Sequence, residues 1–137
     1  MRDRVPYLLY RAAATSTSMA DARLRELGLT ARQVGILTLV VEARPLTQRQ
    51  LGETIGIDRT TMVALIDDLE GKALIERRTH PSDRRAFLIH PTKKGARAQA
   101  RAITVLDEQA AAFLAPLTAE QRAQLATLLR LLEPRLM

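Results

Sequence analysis

The chain contains no cysteine. This rules out a disulfide framework, a thiolate zinc site and a thiol-based redox switch. Histidine is scarce: only His80 and His90 occur, and they read as a solvated tip residue and a strand-end residue rather than an acid–base pair. No Gly-rich phosphate loop, metal-ligand cluster or nucleophile–base set is present. The chain is therefore expected not to be an enzyme and to use no metal or other cofactor. Long apolar runs are also missing. Uncharged stretches such as Gln109–Ala119 fall well short of the ~18 residues that a membrane span requires. Arg2 and Arg4 precede an apolar patch at Val5–Tyr10, but Arg11 cuts it off, leaving it too short for a signal-peptide core. These absences point to a cytoplasmic protein with no membrane partner. No tandem repeat or low-complexity linker appears, and 137 residues suit a single domain around one core.

Positive charge is plentiful. The 21 Lys+Arg outnumber the 15 Asp+Glu, for a net charge of +6. Ribosomal and membrane-surface proteins share such an excess, so its placement says more than its size. Between Arg77 and Lys94 lie six basic residues and a single acid, Asp83.

Helix starts repeat one chemistry. Thr30-Ala31-Arg32-Gln33, Thr47-Gln48-Arg49-Gln50 and Thr118-Ala119-Glu120-Gln121 each fit a capping box. In that motif a Thr hydroxyl and a Gln amide three residues on satisfy backbone N–H groups at the helix start. Gly28 and Gly56 stand where helices should stop, because glycine takes the left-handed conformation without a Cβ clash. These signals predict helices at about 4–27, 30–43, 47–55, 58–70, 92–115 and 118–134. Pro116 separates the last two and Pro134 ends the final one. The segment 74–90 carries the only β signal, with Pro81-Ser82-Asp83 as turn chemistry.

Two short helices joined by a tight turn and followed by a basic hairpin are the ordered parts of a winged helix-turn-helix. The fold class is thus mainly α with a small β-hairpin wing. In the helix starting after Asp58, Met62, Leu65, Ile66 and Leu69 recur at i, i+3, i+4, i+7 and form a buried face. Leu51 and Ile55 do the same for the helix before it. The opposite face carries Arg59, Thr60, Thr61 and Ala64, with Val63 alongside. Arg suits guanine O6/N7, Thr suits a polar edge or a thymine methyl, and small residues allow close approach. Alone, this face is an ordinary solvated surface; beside a basic hairpin it reads as a recognition helix. Asp58 is its N-cap. Thr47, Gln48 and Arg49 are candidates for phosphate contact through backbone N–H groups and side chains, although capping alone also explains Thr47.

Asp58-Arg59-Thr60-Thr61 with Leu69-Glu70, then Leu74-Ile75-Glu76-Arg77-Arg78, Asp83-Arg84-Arg85 and Thr92-Lys93-Lys94-Gly95 resemble the signature of the MarR (multiple antibiotic resistance regulator) family. The resemblance extends to Leu29-Thr30-Ala31-Arg32-Gln33 and covers nearly the whole chain. It implies a homodimer of winged-helix subunits, joined through terminal helices, that represses transcription by covering double-stranded operator DNA. It also implies that Asp83 orients an arginine, and that Arg84 or Arg85 enters the minor groove. The basic hairpin adds Arg77 and Arg78 as wing candidates. Two departures stand out. Ala73 occupies a position where the family usually has Gly; if left-handed it costs roughly 1–2 kcal/mol, so the recognition helix is expected to end at Gly71 instead. Pro91 replaces an apolar residue before Thr92 and is expected to shorten the second wing strand.

The reader then spans 30–91, with helices 1–28 and 92–137 left for dimerisation. Leu125, Leu128, Leu129 and Leu132 make an apolar stripe on the final helix, and Leu8 lies in the Val5–Tyr10 patch. So much apolar surface is more than the reader can cover, which favours packing against a second copy. The resemblance further implies release of DNA by a small aromatic or amphipathic effector, for which Tyr7, Tyr10 and Met19 are pocket candidates, although core or interface packing accounts for each of them more simply. The rival reading is an architectural or protein-binding winged helix without a defined operator.

Overall fold

The computed structural model describes residues 1–133. In chain order the elements are α1 (Val5–Glu26), α2 (Ala31–Glu42), β1 (Leu46–Thr47), α3 (Gln48–Ile55), α4 (Arg59–Gly71), β2 (Ile75–Thr79), β3 (Phe87–Pro91), α5 (Lys93–Phe113) and α6 (Ala119–Leu132). All three Thr-x-x-Gln signals become reciprocal capping boxes, at the starts of α2, α3 and α6. Asp58 and Thr92 cap α4 and α5 by accepting from the backbone N–H three residues on. The expected stop at Pro134 lies outside the described residues.

Gly28 and Gly56 are both left-handed, with φ of 72° and 77°. Ala73 is left-handed as well, with φ of 60°. α4 ends at Gly71 as expected, but that end does not spare Ala73 the left-handed turn. The reason is the turn's own hydrogen bonding. Ala73 N–H donates to the Glu70 carbonyl at 2.9 Å and Leu74 N–H to Leu69 at 3.0 Å, a pattern that demands one αL residue. Replacing Ala73 with Gly should therefore stabilise the protein by about 0.5–1 kcal/mol, the strain relieved being partly offset by greater freedom of the unfolded chain. A urea titration reads this as a raised midpoint at unchanged slope.

The sheet has three antiparallel strands in the order β1-β3-β2. β1 was not foreseen. Two residues carry no periodicity of their own, and Leu46 and Thr47 become a strand only by pairing with Ile89 and Leu88. Nor does Pro91 shorten the wing: β3 runs through it, opposite Ile75. At the last strand position the missing N–H breaks no ladder, and the next residue, Thr92, donates to the Leu74 carbonyl instead, at 3.1 Å.

The core is built from Ile36, Leu37 and Val40 of α2, Leu51 of α3, Met62, Ile66 and Leu69 of α4, and Ile75 and Ile89 of the wing strands. From outside the reader, Leu24 of α1 and Ala102 of α5 close it. By contrast α6 buries no residue fully: Leu125 is half-buried, and Leu128, Leu129, Leu131 and Leu132 are left exposed by this chain.

Candidate nucleic-acid interface

Gly56, left-handed at the end of α3, turns the chain sharply enough for Asp58 to start α4 two residues later. The Asp58 carboxylate accepts from the Thr61 hydroxyl at 2.7 Å and from the Thr61 backbone N–H at 3.0 Å. These two bonds hold the Asp58 carboxyl below the usual carboxylate range. They also commit the Thr61 hydroxyl to capping. Arg59, Thr60, Val63 and Ala64 remain exposed on the outer face of α4, while Met62, Ile66 and Leu69 are buried beneath it.

The wing tip is ordered by two acceptors. Asp83 Oδ1 accepts from the Arg85 backbone N–H at 3.0 Å. His80 Nδ1 accepts from the backbone N–H groups of Ser82 at 3.1 Å and Asp83 at 3.2 Å. Asp83 thus engages an arginine of the Asp-Arg-Arg motif through its backbone, not its guanidinium. Arg84 and Arg85 are exposed, and neither forms an ion pair among the described residues. His80 is more than a solvated tip residue; its role depends on a turn that the sequence alone does not draw.

One recess of about 940 Å³ lies between the wing and the two helices, and Thr47, Gln48, Arg49, Arg59, Asp83 and Arg85 all face it. The candidates on three separate elements are thereby brought together. Within the recess Thr47 is occupied as a cap. Arg49 pairs with Glu53 at 3.0 Å on an exposed helix surface, an interaction worth little and easily exchanged for another partner.

Arg77 is placed differently from its expected role. Its side chain is 22% exposed and bonds Asp67 at 2.6 Å and Glu70 at 2.7 Å. A third bond, of 3.3 Å, reaches Gln48 Oε1. Burial works against the Arg77 charge, but the two carboxylates outweigh it and raise its pKa above the ordinary value. Arg77 therefore ties β2 to the last turns of α4 and to α3. Arg78 likewise pairs with Glu76 on its own strand, Nε to Oε1 at 2.8 Å. The clue in the sequence was the i, i+3 pair Asp67 and Glu70, which needed the fold to show its partner. Arg77→Met should lower stability by about 1–3 kcal/mol by leaving two carboxylates facing one another. It should leave the salt dependence of DNA binding unchanged, which a titration at several ionic strengths checks.

A second cavity, of about 680 Å³, lies along α1, with Tyr10, Thr17, Asp21, Arg25, Leu29 and Thr30 among its walls. Of the three pocket candidates only Tyr10 lines it. Met19, 38% exposed, stands on another side of α1, two residues past Thr17. Tyr7 is half-buried elsewhere. Leu8, Leu128, Leu129 and Leu132 are exposed, and Leu125 is half-buried. Among the described residues no group of three or more His, Asp or Glu side chains is placed to hold a metal ion. No described helix is long and apolar enough to cross a membrane.

Residues 27–86, the stretch holding α2, α3, α4, β2 and the wing tip, match the model of the MarR family. The PcaV transcriptional regulator of Streptomyces coelicolor is 27% identical with a TM-score of 0.82, the match covering 94% of each chain. The winged-helix part of the chain is thus of the MarR type. A protein named for transcriptional regulation of the hcr operon in Thauera aromatica is 34% identical over 103 residues, which are 75% of this chain and 62% of that relative's length. CouR of Rhodococcus jostii RHA1, whose structure was determined with p-coumaroyl-CoA bound, is 25% identical with a TM-score of 0.77, covering 98% of this chain and 95% of that one. PcaV and the Thauera aromatica protein are transcriptional regulators, not enzymes, and the mainly helical chain with its small three-stranded sheet has the winged-helix fold of PcaV.

Proposed function

We propose that this protein is a homodimeric repressor that covers a pseudo-palindromic operator in the cytoplasm and is released from it by a small-molecule effector. The observation that carries this reading is the shared recess: the exposed start of α4 and Arg85 of the wing tip face one concave surface. A helix start bearing Arg59, Thr60, Val63 and Ala64 fits the major groove, where base edges carry a unique donor and acceptor pattern. Arg84 and Arg85, free of carboxylate partners among the described residues, fit the narrow minor groove, whose negative potential attracts Arg. Arg49, together with the backbone N–H groups at the start of α3, supplies phosphate contacts.

Dimerisation is supported by the leucines of α6. Leu128 is 59%, Leu131 78% and Leu132 66% exposed, an apolar density that a lone soluble chain seldom presents. With Leu8 on α1 they supply a face for a second copy. Leu128→Glu should convert the protein to monomer, read by sedimentation; a variant that stays dimeric would place the interface elsewhere. The cavity along α1 suits an aromatic or amphipathic effector, in keeping with the p-coumaroyl-CoA held by CouR.

Footprinting on the intergenic DNA beside its gene tests the reading. A single protected site with two-fold symmetry, its half-sites about 34–36 Å apart, is the expected result. Uniform coverage would instead make the protein an architectural binder.

A further inference from the structure

The turn between α1 and α2 is bonded to the far end of the recognition helix by a closed set of side-chain contacts. Lys72, just past α4, donates through Nζ to the Gly28 carbonyl at 2.6 Å and lies 2.8 Å from Asp68 Oδ2. The same Asp68 oxygen accepts from Gln33 Nε2 at 2.5 Å. The other end of that amide, Gln33 Oε1, accepts from the Thr30 backbone N–H at 3.1 Å. Gln33 is only 3% exposed, so both ends of its amide are fixed away from water. Leu29 and Thr30, enclosed by this ring, are at the same time walls of the cavity along α1.

We infer that Asp68, with Gln33 and Lys72, is a positioning clasp through which the cavity along α1 and the DNA-reading face of α4 sense one another. The inference rests on the DNA-binding reading above and adds its internal linkage. Any shift of the 29–30 wall carries the Thr30–Gln33 cap with it, and that cap grips Asp68 directly. From the other flank Arg77 grips Asp67 and Glu70 of the same stretch. α4 is thus held near its C-terminal end, between the cavity wall and the wing, while Arg59 stands at its other end. Nine helical residues span roughly 14 Å, so a tilt of about 5° at Asp68 displaces Arg59 by about 1 Å. Such a displacement is large on the scale of a hydrogen bond to a base edge.

Linkage between sites is reciprocal, so the clasp can be tested from the DNA side without an effector in hand. The chain has no cysteine, and Thr17→Cys on the cavity wall therefore accepts one fluorophore. The footprinted operator duplex is titrated in, with its binding followed separately by anisotropy of labelled DNA. The label on Cys-substituted protein should change emission with the same midpoint as DNA binding. The amplitude should fall at least two-fold in Asp68→Ala and in Lys72→Met, and no further when the two are combined, while each variant still binds the duplex. Full amplitude in either variant, losses that simply add, or a label that never responds to bound DNA would overturn the clasp and leave the DNA-binding reading intact. Absence of DNA binding by the unlabelled protein as well, with its fold intact by circular dichroism, would overturn both.

Discussion

Gly95→Ala will destabilise the protein by roughly 3 kcal/mol, the scale of a badly overpacked core position. A Cβ at residue 95 would stand 1.8 Å from the Leu74 carbonyl oxygen and 2.8 Å from its carbon. Both atoms are backbone, so no side chain can swing aside. The surroundings cannot give way easily either. Thr92 N–H donates to that same carbonyl at 3.1 Å, the Thr92 hydroxyl donates to the Ala73 carbonyl at 2.6 Å, and Lys94 Nζ donates to the Lys72 carbonyl at 3.1 Å. Together these bonds hold the turn after α4 against the first turn of α5, and an alanine would force the two apart. Because that turn leads straight into β2, the wing moves with it, and operator binding should weaken as well. Urea unfolding measures the stability change; a midpoint equal to that of the wild type would show that the backbones are not in such close approach.

Arg85→Ala should have the largest effect on function for the least effect on the fold. Its guanidinium is exposed and makes no ion pair among the described residues, while the bond that shapes the tip runs from its backbone N–H to Asp83 and survives the substitution. Stability should thus stay within about 0.5 kcal/mol. Operator affinity should fall about ten-fold or more, and the slope of log K against log salt should become shallower by about one per subunit. Unchanged affinity together with an unchanged slope would remove Arg85 from the interface and leave Arg84 as the wing contact.

The sequence made local features legible and left tertiary ones hidden. Helix limits were readable to within a residue or two because Thr30, Thr47 and Thr118 cap through bonds that span only three residues, and Gly28 and Gly56 stop helices by their own backbone freedom. The buried face of α4 was readable from the period of Met62, Ile66 and Leu69 for the same reason. What escaped was whatever depends on a partner distant in the chain. β1 exists only through Ile89 and Leu88. Arg77 looked like one more basic wing residue until the fold set it against Asp67 and Glu70. Thr61 looked free to meet bases until its hydroxyl was found on Asp58. The motif containing Gly95 was visible, but the reason for glycine there lies in the backbone of Leu74. Along α1, Tyr7, Tyr10 and Met19 were grouped by residue type, whereas only Tyr10 lines the cavity wall: the turn of the helix carries Met19 to another side, and Tyr7 lies one turn before the lined stretch.

The most direct test of DNA reading by the recess between α4 and the wing is binding of the purified protein to the intergenic DNA beside its own gene, in a salt series with excess nonspecific competitor. A discrete complex that survives the competitor, weakens steeply with salt and protects one two-fold symmetric site is the predicted result. Binding that the competitor abolishes at every salt concentration, on that DNA and on genomic fragments alike, would contradict it.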